Sequence, residues 1–356
     1  MKKVPRLMSV RSLRLAIPLS AVLLVGVLPP LVSSANAASH KTHKAKIGKW
    51  ADVNVGIALT PPKMVFLAPY IAQARGLFRK AHLRVKFIGM PDGLETELGT
   101  VTGAIDLGFS SATDGISSAS VGTPLHTIWS YAPKLDTVCI AAPDINSATD
   151  LIGQNVASTG TGGFSYTQVD ACLVKNGVKV SQVNLINMKR SQFVGALASN
   201  QVKAAVFHVD DAYVVTHQVA GLKVLDNEYL SAPDWWYGGV AVLDSWAKSH
   251  KSAVERFLTV MVQTDRWMSD PKHKPFVMKV AAKATQEDPA ALSAAYDFIV
   301  KGHLWTLNDG MDPKSVLYTE AEMAKFGEID RIPTYNQIVD TTYINDVLKK
   351  IGRVAE

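Results

Sequence analysis

One passage of this chain occurs twice. Gly103-Ala-Ile-Asp-Leu-Gly-Phe-Ser-Ser-Ala-Thr-Asp114 has a looser counterpart 97 positions later, Asn200-Gln-Val-Lys-Ala-Ala-Val-Phe-His-Val-Asp-Asp211. Each copy reads as the end of a helix, a tight turn, a short buried strand and a small polar loop. Leu94, Leu98 and Val101 precede the first copy at helical spacing, as Phe193, Val194 and Leu197 precede the second. The apolar runs are too short for helices and are flanked by turn residues, so they predict strands. Ligands of open α/β sheets bind outside the carboxyl ends of the strands, where both polar loops would lie. Two such half-sites suggest two lobes facing one ligand. Any α/β chain also repeats helix–turn–strand, so the echo alone leaves both readings open.

The first 37 residues stand outside the fold. Lys2, Lys3, Arg6, Arg11 and Arg14 form a basic region, and Leu15 to Val32 is apolar but broken by prolines. Ala35-Asn36-Ala37 supplies the small-x-small pattern of a cleavage site, so residues 1–37 are expected to be a signal peptide rather than a membrane anchor. The net charge of +6 is misleading, because five basic residues lie in that leader and four lysines in a basic tail over residues 38–49. From Trp50 onward there are 28 Lys+Arg against 31 Asp+Glu. A nucleic-acid partner, which would need a basic face on the folded part, is not expected. Two cysteines, Cys139 and Cys172, could bridge in an exported protein. Cys139 lies in a strand-like run and Cys172 on a helix face, and two buried unbridged thiols is the preferred reading. The histidines show no metal-ligand spacing, and no cofactor is expected.

Along the chain, strand and helix signals alternate, the pattern of a mostly parallel sheet with helices on its faces. Val53–Ala58 and Leu83–Ile88 predict strands, with a helix from Phe66 to Arg75 between them. Extended segments follow at Leu125–Tyr131 and Leu135–Ala142, and a second unit begins near Ala141. Beyond Asp244 the pattern turns helical.

Thr159-Gly-Thr-Gly-Gly163 is the sharpest local signal for chemistry. Its glycines allow close backbone approach, and a helix starting at Phe164 would aim free amides at the same point. It matches neither a Walker loop nor a dinucleotide fingerprint, and a tight turn without a ligand is the alternative. His208, Asp210 and Asp211 follow the second echo strand. An acid–base dyad can be drawn there, but no nucleophile elbow accompanies it, so helix capping or ligand hydrogen bonding is preferred and no catalytic residue is assigned. Trp235, Trp236 and Tyr237, with Phe66 and Phe164, could stack on a planar ligand or simply fill the core.

Phe66-Leu-Ala-Pro-Tyr-Ile-Ala-Gln-Ala-Arg-Gly-Leu-Phe78 with Leu83–Phe87 resembles the opening of periplasmic solute-binding proteins of ABC transporters. The group is the NMT1/THI5-like one, which includes binders of sulfonates, nitrate, taurine and the thiamine pyrimidine precursor. Gly103–Gly108, Asp144–Gly153, Val156–Gly160 and Ala196–Ala205 match in the family's order. The resemblance, which runs from about Val53 to Asp270, implies a two-lobe type II binding-protein fold, each lobe a mostly parallel sheet flanked by helices. Residues 50–140 plus 240–356 would form one lobe and 141–239 the other, with crossings near 140–143 and 238–242. Ligand would sit between the lobes.

By position, the expected ligand contacts are Lys63, Phe66, Ser110, Ser111, Thr113, Thr159, Gly160, Thr161, Gly162, Gly163, Phe164, His208, Asp210 and Asp211, joined by Trp235 and Trp236. The implied protein is a periplasmic monomer that captures a small organic nutrient, sulfonate-like, taurine-like or pyrimidine-like, and delivers it to an ABC permease. Only Lys63 among these loops is basic, which leans toward a nitrogen heterocycle or an amine, although the amides at Gly160–Phe164 could hold a sulfonate. Two rivals remain. One is an enzyme on the same scaffold related to pyrimidine-precursor synthases, against which the scarcity of cysteine speaks. The other is a ligand sensor.

Overall fold

Among the described residues, ten strands form two sheets whose orders correspond position by position. The computed structural model describes residues 48–160, 163–174 and 177–355. The expected signal peptide, most of the basic tail, and Thr161 and Gly162 therefore lie outside the described residues. The strands are β1 Ala51–Ala58, β2 Leu83–Met90, β3 Leu107–Ser111, β4 Leu125–Ala132, β5 Thr137–Ala141, β6 Asn155–Ser158, β7 Asn184–Asn187, β8 Ala204–His208, β9 Lys223–Asn227 and β10 Gly238–Leu243. The first sheet has the order β2-β1-β3-β10-β4 and the second β7-β6-β8-β5-β9.

The two echo strands, β3 and β8, occupy the central place of their sheets. β3 pairs in parallel with β1 and β8 with β6, and each pairs on its other side with an antiparallel strand that connects the two sheets. That strand is β10 in the first sheet and β5 in the second, and it alone runs against the other four in each sheet. The sheets are thus mostly parallel with one reversed strand each.

The passages between sheets fall earlier than the sequence led us to expect. Thr137 already pairs with His208 in the second sheet, so the chain leaves the first sheet over residues 133–136 rather than 140–143. It returns over residues 228–237 and enters the first sheet at Gly238.

Burial explains why these segments form strands. Val53, Val55 and Ile57 of β1 are at most 1% exposed, and all five residues of β3, β5 and β8 are buried. The central strands therefore carry continuous buried runs, whereas the edge strands β2, β7 and β9 are only partly buried. One core gathers Phe109, Trp129, Trp236 and Phe257 on the first sheet. A second joins Met64, Leu67 and Ile71 to Val138 and Phe207, and also to Leu292, Tyr296 and Trp305. The helix Pro289–Gly302 packs against the helix Val209–Gln218 that follows β8, although the expected division placed residues 240–356 wholly with the first lobe.

Two local expectations change. Cys139 and Cys172 are bonded in a disulfide, with Cα atoms 6.0 Å apart, and so are not free thiols. Strand β5 and the helix Gly163–Val174 face each other across the third apolar core, which brings the two residues within bridging distance. In the helix Gly93–Val101, Leu94, Leu98 and Val101 are 68%, 55% and 38% exposed. Its inward face is Thr96, Glu97, Gly99 and Thr100, with Gly99 packed closely on Ile105 and Thr100 on Gly108, where a Cβ at either glycine would collide. Among the described residues no helix is long and apolar enough to cross a membrane.

Candidate functional site

The carboxyl ends of β1, β3, β6 and β8 meet at a cleft between the sheets. Its inner chamber, about 770 Å³, is lined by Ser111 after β3, Thr159 after β6 and His208 at the end of β8. Phe66, Phe164 and Tyr237 add rings, and Asp114 and Ser165 add polar groups. An adjoining vestibule of about 490 Å³ is lined by Pro61, Lys63, Met90, Ser191 and Asp211. Leu59, Pro91 and Arg190 border both spaces. These volumes suit small organic molecules.

Four rings form a wall of the inner chamber. Phe164 lies 5.2 Å from Tyr237 and 6.4 Å from His208, the latter at 25° between planes, while Phe66 packs 5.1 Å from Tyr131. His208 is 1% exposed, and both carboxylate oxygens of Asp136 lie 3.0 Å from its Nδ1. Asp136 is itself 1% exposed and sits on the segment that passes between the sheets. The imidazole thus pairs with Asp136 and not with Asp210 or Asp211.

Those two acids serve the framework. Asp210 is fully buried and accepts a hydrogen bond from the Met64 amide at 3.0 Å. Asp211 lies 2.6 Å from Lys63 Nζ, which also lies 2.5 Å from Glu287 Oε1. Burial works against the Lys63 ammonium, but Asp210, Asp211 and Glu287 together hold its pKa above the ordinary lysine value. Burial also raises Glu287, to about 7, with Asp210 adding to the effect. Lys63 is thus matched to the protein's own acids. The carboxylates of Asp210, Asp211 and Glu287 are close enough together to hold a cation, and the ammonium of Lys63 already fills that role.

The other expected contacts divide between wall and core. Ser110 is 2% exposed and donates its hydroxyl to Glu97, and Thr113 is buried against the Ser111 hydroxyl at 2.8 Å. Trp235 and Trp236 are core residues at 3% and 0% exposure, and Trp236 Nε1 donates to Ser130 Oγ at 3.0 Å. Gly160 belongs to the loop, its carbonyl accepting from Ser158 Oγ at 2.7 Å. Gly163 has φ +72°, a left-handed conformation that suits glycine at the entrance to the helix.

Arg190, with Lys189 before it, lines the cleft although neither is among the contacts expected from the sequence. It follows β7 at the same carboxyl-end position as the other loops, which was the available signal. Its guanidinium donates a long 3.4 Å bond to the Val206 carbonyl and lies 5.7 Å from the Phe193 ring. No carboxylate among the described residues forms an ion pair with it. Burial lowers its pKa, and Asp211, Tyr237, Asp136 and Glu228 act against that shift from farther away.

Several amides at helix starts around the cleft are taken up by the protein's own groups. In the helix Ala112–Ser120, the Ser111 amide donates to Asp114 Oδ2 at 3.2 Å, the Ala112 amide to the Tyr237 carbonyl at 2.7 Å, and the Asp114 amide to Ser111 Oγ at 3.2 Å. Burial raises Asp114 to about 6, opposed by its bonds to Ser111. At the helix Gly163–Val174, Glu328 accepts from Thr167 Oγ1 at 2.9 Å and from the Gly163 amide. Burial pushes Glu328 to about 7.

Residues 63–273 match the profile of a family described as NMT1/THI5 like. Among curated proteins none matches the sequence. Solved structures share the fold at low identity. The alkanesulfonate-binding protein SsuA from Xanthomonas axonopodis pv. citri, bound to MOPS, superposes with a TM-score of 0.68 at 14% identity, covering 82% of this chain and 99% of its own. The periplasmic nitrate-binding protein NrtA from Synechocystis PCC 6803 gives 0.68 at 12% identity, with 85% and 89% covered. The ligand-binding component of an ABC-type import system from Staphylococcus aureus, with zinc bound, gives 0.70 at 10% identity, with 83% and 98% covered.

Proposed function

Because the chain belongs to the NMT1/THI5-like family, we propose that it is an exported solute-binding protein that captures a small organic molecule between its sheets and delivers it to an ABC permease. One observation carries this reading. Ser111 and His208, the polar ends of the two echo strands, come from different sheets and line the same chamber. A solute touching both would favour the form in which the walls are close, and by that differential affinity it would mark the loaded protein for its transporter. The leader and the disulfide support an oxidising, periplasm-like compartment.

Mass spectrometry of solute released from the purified, exported protein tests the proposal, together with thermal unfolding against a panel of sulfonates, nitrate, pyrimidines, flavins and aromatic acids. A true solute at 100 times its Kd should stabilise the protein by about 2.7 kcal/mol. A panel with no thermal shift and a protein carrying no solute would overturn the reading.

A further inference from the structure

We propose that the solute is an aromatic monoanion, a ring bearing one carboxylate or sulfonate, with its ring in the inner chamber and its charged group on Arg190. This deepens the solute-binding reading and rests on it. Compact oxyanions are commonly held by free amides at helix N-termini, so the state of those amides matters for the choice. Several amides at the starts of helices that reach this cleft are taken up by the protein's own groups. Ser111, Ala112 and Asp114 amides are bonded to Asp114, Tyr237 and Ser111. At the helix Val209–Gln218, the Val209 amide donates to the Asp136 carbonyl at 3.1 Å and the Asp211 amide to Asp210 Oδ1 at 3.1 Å. The carboxylate of Glu328 sits on the Gly163 amide. A nitrate or sulfate placed against these particular amides would meet a resident acid or a donor already used.

The partly buried cationic side chain left to a ligand is Arg190, since Lys63 is matched by Asp211 and Glu287 and Lys189, which also lines the chamber, is exposed to solvent. Arg190 borders both chambers and has one weak carbonyl bond. A guanidinium offers a planar fork of donors that a carboxylate or sulfonate accepts well. Beside it stand Phe66, Phe164, His208 and Tyr237, whose faces and edges accommodate a flat ring. His208 supports the same assignment. It is 1% exposed, lines the chamber, and has Nδ1 engaged by Asp136, which leaves Nε2 for the solute. A single charge matches Arg190, the cation of this lining that is held partly away from solvent, whereas Lys189 is solvent-exposed.

Calorimetry with the mature protein distinguishes the outcomes, with benzenesulfonate, benzoate, methanesulfonate, nitrate and benzamide as probes. Benzenesulfonate or benzoate should bind at least about 10-fold more tightly than methanesulfonate, nitrate or benzamide, since the ring and the charge each contribute about 1.4 kcal/mol or more. Arg190→Met should weaken the aromatic anions about 10- to 100-fold and leave benzamide unchanged, with Arg190→Lys intermediate. Nitrate or methanesulfonate binding as tightly as benzenesulfonate would overturn the assignment and leave the solute-binding reading intact. So would aromatic-anion affinity indifferent to Arg190→Met, or a natural solute lacking a ring or a negative charge. A cleft that binds none of the probes and no solute of the wider panel would remove both.

Discussion

Lys63 Nζ lies 2.6 Å from Asp211 Oδ1, joining the loop after β1 of the first sheet to the first turn after β8 of the second. The same ammonium reaches Glu287, between the helices Lys274–Thr285 and Pro289–Gly302, and the Met64 amide donates to Asp210, the neighbour of Asp211. Three separate stretches of chain are thus tied at one cation. Lys63→Met would leave Asp211 and Glu287 facing each other with Asp210 nearby. Urea unfolding should show a loss of roughly 1.5–3 kcal/mol, the scale of hydrogen bonds to charged groups. A double-mutant cycle with Asp211→Asn should give a coupling of about 0.5–3 kcal/mol.

The disulfide closes a loop with a sequence separation of 33. In the chain-entropy account such a bridge contributes about 3–4 kcal/mol by restricting the unfolded chain. Replacing both cysteines with serine should lower the urea midpoint accordingly, and a reductant should lower the midpoint of the native protein by a similar amount while leaving the double variant unaffected.

Asp136→Ala removes the partner of a nearly fully buried imidazole. The His208 Nδ1 left unpaired should cost about 1–3 kcal/mol of stability. Solute affinity should fall as well, because the ring that lines the chamber loses its orientation. Guanidinium unfolding and calorimetry on the same preparation measure the two effects.

Glu97 is 2% exposed and bonded to Ser110, and burial pushes its pKa from the ordinary glutamate value of 4.5 up to about 8. Between those values the folded protein keeps a proton that the unfolded chain has released. Stability from this group therefore falls as pH rises across the window and reaches its full penalty above it. Thermal unfolding at pH 5, 6.5 and 8 should show a smaller decline for Glu97→Gln than for the native protein. Equal slopes would mean that Glu97 does not titrate in this range.

Much of the fold was legible in the chain. The echo predicted β3 and β8, and both strands hold the same place in their sheets. The ordered motifs matched the family found by comparison. The site was legible in part: Ser111, Thr159, Phe164 and His208 line the chamber, while Ser110, Thr113, Trp235 and Trp236 are buried beneath or beside it. Residues adjacent in a strand point to opposite faces, so a polar run shows that a loop is near without telling which of its members face solvent.

Local pattern by itself determined where strands and helices form, since apolar runs bounded by glycine and proline report on backbone conformation and burial within a few residues. Pairings between distant segments were decided only by the tertiary structure. His208 found Asp136, 72 residues away, rather than its neighbour Asp210. Lys63 was taken up by Asp211 and Glu287, and Cys139 by Cys172. Arg190 gained its place in the cleft because β7 ends there. Charge matching and bridging depend on distance in space, and the register of the two sheets sets that distance.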